Sequence, residues 1–594
     1  MNNKIMNNPL VSHLIDLSNP DMIGDDRNVL TLIVQLLFLH LDKGNSCIFL
    51  DQIYELAKQY KIDFKPNISI KLIEDILNRS GLVSKYKLGS YLHESKPLIL
   101  MIDDDNPNTL VLYVARHLCY EYQIARFIKL VDNKSTLDLL TIEQVTAELS
   151  LLSNSGFPNQ DQIFAIKSSA LHKFSIITGG PGTGKTTTVI LLLWVLSKCY
   201  KNKIVLNICA PTGRAASRIK ESIISGITQL KKWLDMSILE DWLKIDCVTI
   251  HRLLGYQRDS IYFKHNKNNL LKTEVLIVDE SSMVSLPLFY KLCMALDINQ
   301  LKHLVLLGDK NQLSSVEEGY VFASLVDYYK GNNLDLFSSN IVNQLLISNR
   351  NQMSVQDLAN NILNQDIKQV VANLNEYSEL GLIKPNYSQI ANYLFKHEDG
   401  FCSYFTSIEQ LLINDNFDKG ELFTLLRKLV ILCITNDGIL GANNLNQQID
   451  EYAREYFTSS SKWYNGRSII ILENDYTLGL NNGDVGVCLL VNSKPVIIFE
   501  NGSEFIPEVL PSYKLAYAIT IHKSQGSEFE RVMVVLPDSK TTYNNYLLSC
   551  ELLYTAVTRA KFGVLICANL DTLKFTINNL APRNSGLGYL LNSI

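Results

Sequence analysis

The chain carries eleven cysteines and not one Cys-x-x-Cys pair, so it lacks the spacing on which compact zinc sites are built. Several of the thiols, among them Cys209, Cys433 and Cys567, stand inside apolar runs and read as buried groups of a reducing compartment, not as disulfide partners or metal ligands. Long apolar runs are missing too. The longest, Val189 to Leu196, is far short of the ~20 residues that cross a bilayer, and no membrane span is expected. Residues Met1 to Asn8 lack the apolar stretch and small-residue cleavage site of a secretory signal, which makes a cytoplasmic location the expectation. A bulk charge of one sign is absent as well: Lys+Arg 55 against Asp+Glu 60 gives a net charge of −5. Nucleic-acid binding driven by a global positive field is thereby excluded, and any such binding is confined to a local groove. No internal repeat or low-complexity tract organises the chain.

What is present begins with Gly179-Gly180-Pro181-Gly182-Thr183-Gly184-Lys185-Thr186-Thr187, preceded by the strand-like Phe174 to Thr178. Gly179, Gly184, Lys185 and Thr186 stand at P-loop spacing. The glycines let the backbone curl until successive N–H groups face the phosphates of a nucleoside triphosphate. Lys185 adds a mobile cation, Thr186 offers its hydroxyl to Mg²⁺, and the following helix presents its positive end to the same anion. ATP and Mg²⁺ are the expected cofactors.

A length of 594 residues exceeds what one core supports and suggests three or four units at about 150 residues each. Residues 1–110 carry helical periodicity, as in Val29 to Leu39, and read as a helical N-terminal domain closed by a hairpin of Leu98 to Ile102 and Leu110 to Val114. Residues 111–139 form a connector. From 140 to 345 apolar strands alternate with amphipathic helices, the mark of a parallel sheet covered on both faces; residues 346–594 repeat the alternation. Between about 455 and 512 the pattern changes to short β runs split by Asn-Gly turns, read as a small β-barrel inserted into the second α/β unit.

Further chemistry sits at strand ends. Asp279 and Glu280 close the strand Val275 to Val278, where P-loop enzymes use one carboxylate for Mg²⁺ and the other to polarise the attacking water. Gln312, in Gly308-Asp309-Lys310-Asn311-Gln312, follows another core strand and is placed to sense a γ-phosphate. Arg350 and Arg559 are candidate arginine fingers, since a planar guanidinium meets the charge that accumulates in phosphoryl transfer. The other reading for each arginine is a surface charge. Tyr517 either stacks on bases or packs in the core beside its strand.

Ala210-Pro211-Thr212-Gly213-Arg214-Ala215-Ala216, Thr249-Ile250-His251 and Thr520-Ile521-His522-Lys523-Ser524-Gln525-Gly526-Ser527-Glu528-Phe529 complete the ordered motif set of superfamily one helicases, which the chain resembles. With Trp463 to Arg467 and Leu478 to Gly486, the resemblance narrows to the RecD family, over about 140–594 and weakly before it. That resemblance implies two RecA-like domains clasping ATP and 5′-to-3′ movement on DNA. It also implies single-stranded and end-containing double-stranded DNA as substrates, and RecB-like and RecC-like partners in a heterotrimer whose nuclease lies on another subunit. Carried over by motif, Gln162 reads the adenine edge, Glu528 meets the ribose, and Arg350 and Arg559 serve the transition state. Pro211, Thr212, Thr249, His251, Thr520, His522 and Lys523 face single-stranded DNA or couple the ATP cleft to the DNA path. A stand-alone relative, a regulatory subunit and an RNA helicase are the competing readings. The N-terminal domain either docks on a partner or stabilises the chain.

Overall fold

The computed structural model describes the chain from residue 8 onward apart from 63, 65–67, 93–95, 104–105, 107–108, 133–136, 138, 153–157, 201–203, 236–245, 259, 314–316, 332–340, 348–351, 414–416, 460, 476 and 540–546. The N-terminal unit is not helical throughout. Helix α1 (Gly24–Leu41) buries Leu30, Ile33, Val34 and Leu37 in one cluster with residues of a four-stranded sheet. The strands are β1 (Cys47–Phe49), β2 (Val83–Lys87), β3 (Leu98–Ile102) and β4 (Leu110–Val114), in spatial order β1-β4-β3-β2. The expected hairpin is β3 and β4, paired antiparallel from Leu98↔Val114 to Ile102↔Leu110. β1 and β2 escape a reading by periodicity because one has three residues and the other keeps Lys85 and Lys87 outward. β4 crosses the expected boundary at 110, and the connector begins as helix α2 (Ala115–Val131) directly after it.

The P-loop unit is a six-stranded sheet of β5 (Phe174–Gly179), β6 (Leu206–Ala210), β7 (Cys247–Thr249), β8 (Val275–Val278), β9 (His303–Gly308) and β10 (Val342–Leu345). Its order is β10-β5-β9-β8-β6-β7, and every pairing is parallel. β5, β8 and β9 are buried along their whole length, which is why they read as continuous apolar runs without alternation. Helices α3 (Gln160–Leu171), α4 (Lys185–Cys199) and α5 (Gly213–Leu230) flank the sheet and bring their N-termini to its C-terminal edge.

The second sheet holds β11 (Leu380–Ile383), β12 (Leu429–Cys433), β18 (Ala518–Thr520), β19 (Phe529–Val535) and β20 (Ala560–Cys567) in order β11-β20-β19-β12-β18, again all parallel. Between β12 and β18 the chain builds a five-stranded antiparallel sheet from β13 (Ser468–Ile471), β14 (Val485–Val491), β15 (Lys494–Phe499), β16 (Glu504–Phe505) and β17 (Tyr513–Leu515). Its order is β16-β15-β14-β13-β17. The expected insertion is therefore a sheet with two outer strands, and among the described residues no pairing joins β16 to β17 into a barrel. Helix α6 (Cys550–Val557) precedes β20. The chain then returns to the N-terminal unit, where helix α7 (Leu587–Ser593) buries Leu587, Leu590 and Leu591 in one cluster with Leu118 and Phe127 of α2.

Candidate active site

β5 delivers the P-loop at the edge of the first sheet. Gly182 (φ 79) and Gly184 (φ 82) take the left-handed conformation, which turns consecutive N–H groups to one side and starts α4 at Lys185. Lys185 Nζ donates to the Gly179 carbonyl at 2.7 Å and to that of Gly180 at 3.1 Å, and Thr183 Oγ1 donates to Gly180 at 2.9 Å. The loop is thus held together by its own hydrogen bonds. Gln162, 1% exposed, does not stand in the open cleft. Its Oε1 accepts from Asn159 N at 3.0 Å while Asn159 Oδ1 accepts from Gln162 N at 2.9 Å, a reciprocal cap on α3. Its amide nitrogen packs against Gly184. In this structure its side chain is engaged by the cap and lies against the P-loop at Gly184.

Asp279 and Glu280 follow β8 as expected, and both line the cleft with Pro181, Gly182, Lys185 and Thr186. Glu280 sits at φ 48, a left-handed position for a residue with a side chain, the sort of backbone strain that marks functional turns. Burial first, and then the charge of Glu280, push the Asp279 carboxyl up to about 6. A cation beside it would reverse that cost.

The far wall comes from the second sheet. Arg559 lies just beyond α6, 3% exposed, and donates from Nη2 to Gln312 Oε1 at 2.6 Å and from Nε to the Thr555 carbonyl at 3.2 Å. Gln312 Nε2 in turn donates to Asp309 Oδ2 at 3.3 Å, and the Tyr554 hydroxyl donates to the same oxygen at 2.9 Å. Leu313 N donates to Thr555 Oγ1 at 2.9 Å. The two units are therefore stitched here by a buried polar network, the kind of contact that is strong when every member is satisfied. Burial lowers the Arg559 guanidinium, and the nearby Glu280 carboxylate opposes that shift.

Glu528 lines the cleft, but its carboxylate is engaged: Arg218 Nη2 lies 2.6 Å from Oε1 and Lys561 Nζ 3.8 Å from Oε2. Pro211 and Thr212 at the end of β6 and Thr249 and His251 at the end of β7 are brought together by the pairing Ala210↔Thr249. Thr212 and Thr249 cap the helices that follow, accepting from Ala215 N and Arg252 N, each at 3.2 Å. Thr520, His522 and Lys523 close β18 of the other sheet; Thr520 is buried, while burial lowers both the imidazole and the ammonium. Tyr517 belongs to the core, 1% exposed, with its hydroxyl bonded to Gly466 O at 3.2 Å, so the stacking alternative is withdrawn. Arg350 lies outside the described residues. Residues that sequence reasoning passed over are Arg218, Asp309, Tyr554 and Gln525. Arg218 had a signal: it follows Ala215 on the face of a helix that also carries Ser222, the 3–4 spacing of one stripe.

The residues fit ATP with Mg²⁺. Gly182 and Gly184 shape an anion cradle, Lys185 lines the same space, and Thr186 and Asp279 are the oxygen-bearing side chains there that would hold the metal. Among the described residues no group of three or more His, Cys, Asp or Glu side chains is placed to hold a metal. Among those residues, too, no helix is long and apolar enough to cross a membrane.

A family profile described as an AAA domain matches residues 162–318. A second, described as a UvrD-like helicase C-terminal domain, matches residues 515–567. The RecBCD enzyme subunit RecD of Haemophilus influenzae is 31% identical over 81% of this chain and 80% of its own length. The ATP-dependent RecD2 DNA helicase of Deinococcus radiodurans is 26% identical over 68% of this chain and 48% of its own length. A solved structure of two coordinating Pif1 helicases at forked double-stranded DNA covers 70% of this chain and 93% of its own at 18% identity, with a TM-score of 0.39.

Proposed function

Since the chain belongs to the RecD family and is an ATP-dependent DNA helicase, we propose that it moves 5′-to-3′ along single-stranded DNA by opening and closing the cleft between its two parallel-sheet units. The observation that carries this reading is the Arg559–Gln312 bond, which reaches across the cleft at 2.6 Å. A motor needs the group that stabilises the transition state to arrive from the unit that moves, so that closure and hydrolysis are one event.

In this mechanism the P-loop amides and Lys185 hold the phosphates. Thr186 and Asp279 hold Mg²⁺, which when bound neutralises charge building on the phosphoryl oxygens. Glu280 orients and accepts a proton from water, and Gln312 carries the state of the γ-phosphate to Arg559. Arg350 is assigned a second finger by motif. Pro211, Thr212, Thr249 and His251 grip DNA from one unit, and Thr520, His522 and Lys523 from the other. Hydroxyls and a few cations hold phosphates without reading sequence, as stepping along any strand requires.

Two assembly readings follow. Asp279, Glu280, Gln312 and Arg559 all lie in one chain and in one cleft, which supports a motor that works alone. The match over 81% of this chain and 80% of a RecBCD subunit supports a role beside RecB-like and RecC-like chains at double-strand ends, with the N-terminal unit as the docking face. Strand displacement on duplexes with 5′ or 3′ tails, by wild type and Lys185→Gln, with and without those partners, tests both. Unwinding from 5′ tails only, lost in the variant, is the expected result. Activity of the isolated chain selects the stand-alone reading, and unwinding from 3′ tails would reject the polarity.

A further inference from the structure

Helix α5 begins where DNA is expected and ends its first turns inside the ATP cleft. Thr212 caps it, and two turns on, Arg218 leaves the helix toward the opposite unit. One guanidinium nitrogen, Nη1, donates to the Gly526 carbonyl at 2.5 Å, and the other, Nη2, lies 2.6 Å from Glu528 Oε1. The side chains are 31% and 15% exposed, so the grip is partly screened from water, and a forked guanidinium holding two acceptors fixes direction as well as distance. The loop it holds is short and tied at every step. Gly526 sits at φ 73, a conformation that leaves little freedom to a replacement. Gln525 Nε2 donates to Leu313 O at 3.0 Å.

The same loop bears on the arginine finger. Arg559 Nη1 donates to Ser527 O at 3.4 Å, and Phe529 N donates to the Arg559 carbonyl at 2.9 Å. Contacts therefore run without a gap from Thr212 through α5 to Arg218, from Arg218 to Gly526 and Glu528, and from Ser527 and Phe529 to Arg559 and Gln312. Arg218 also adds positive charge close to Arg559, so its withdrawal or approach alters the field in which Arg559 works.

We propose that Arg218 is a positioning residue: it transmits the state of the DNA-facing start of α5 to the loop Gly526–Glu528 and thereby seats Arg559 for hydrolysis. The inference rests on the helicase reading, and it predicts a defect in coupling, not in nucleotide capture. The geometry explains why an arginine is needed, since lysine supplies the charge but cannot hold Gly526 and Glu528 together.

The test is steady-state ATPase of the full chain with and without an oligo(dT) strand, for wild type, Arg218→Ala, Arg218→Lys, Glu528→Ala and the double alanine variant, with nucleotide affinity read by a fluorescent ATP analogue. Loss of a charge-assisted contact predicts a fall of about tenfold in DNA-stimulated kcat for Arg218→Ala, with KM for ATP moving less than about threefold. Arg218→Lys is expected between wild type and alanine. The double variant is expected to be no worse than the more damaged single, because both remove one contact. Losses that multiply in the double variant, or unaltered stimulation in Arg218→Ala, would overturn the proposal while leaving the helicase reading intact. Wild type without any DNA stimulation would instead remove the helicase reading and this coupling with it. Should Arg218→Ala fail to fold, the cycle of Arg218→Lys with Glu528→Ala carries the same comparison.

Discussion

Arg559 Nη2 and Gln312 Oε1 meet at 2.6 Å, and this bond joins a residue that follows α6 to one that follows β9. Because it links the halves that must close on ATP, its loss should appear in turnover and not in capture. Arg559→Ala is expected to lower kcat by about 10³-fold or more, the range of arginine fingers, while KM for ATP stays within about threefold. An ATPase assay at saturating DNA measures both. A raised KM with kcat preserved would place Arg559 in ground-state binding instead.

The P-loop depends on a contact from outside itself. Gly184 has φ 82 and lies against the Gln162 amide, which is held by the cap with Asn159. Gly184→Ala should therefore lose nucleotide affinity by at least about tenfold through backbone strain and the displaced amide. Gln162→Ala is expected to weaken ATP and GTP by the same factor, since the side chain steadies the loop. Titration of both nucleotides decides the point; a loss confined to ATP would restore Gln162 to adenine reading.

The nucleotide site was legible because each group sits at a strand end with fixed local spacing: Gly179 to Thr186, Asp279 and Gln312 needed only the sequence around them. Relations between distant segments were not. Arg218 and Glu528 form an ion pair between segments far apart in the sequence, and no local pattern couples them. The N-terminal sheet was hidden for another reason. β1 is three residues long, and it becomes a strand only because β4 supplies its hydrogen-bond partners at Cys47↔Tyr113 through Phe49↔Val111. Barrel closure in the insertion was inferred from short β runs split by Asn-Gly turns, yet such a pattern marks strands and their hairpins and not whether the outer strands meet. Gln162 shows the converse limit. Its place in the sequence suggested a ligand contact, and the capping pattern with Asn159 three residues earlier, which the structure shows, was passed over.

Tyr517 offers a way to separate core from groove. Its hydroxyl lies 3.1 Å from that of Tyr464, donates to Gly466 O at 3.2 Å and accepts from Ser468 N at 3.3 Å. Tyr517→Phe should destabilise the second unit by about 1–2 kcal/mol by leaving the buried Ser468 amide without this partner. Affinity for oligo(dT) should stay within about twofold, whereas removal of a stacked base would cost about 1–3 kcal/mol of binding. Urea unfolding and fluorescence anisotropy give the two numbers, and a weakened DNA complex with unchanged stability would reverse the assignment.

His303 sets an acid limit on the P-loop unit. It opens β9, fully buried, with Nδ1 3.0 Å from the His172 carbonyl and Nε2 2.9 Å from the Tyr200 hydroxyl. Burial lowers its pKa from 6.5 to about 4, so the unfolded chain binds a proton that the folded chain refuses. Stability from this group is complete above pH 6.5, is lost as pH falls from there toward 4, and changes no further below. The loss amounts to at most about 3 kcal/mol. His303→Gln keeps an amide to bond both neighbours but cannot titrate. It should be less stable than wild type at pH 7.5 because its packing is poorer, and it should show a shallower decline of unfolding midpoint between pH 6.5 and 4.5. His40 in α1 is shifted in the same direction, also to about 4, and burial lowers His117, His251 and His522 as well, so each adds slope of the same sign from its own place in the chain. An identical pH slope in wild type and His303→Gln would mean that the proton uptake on unfolding comes from elsewhere than β9.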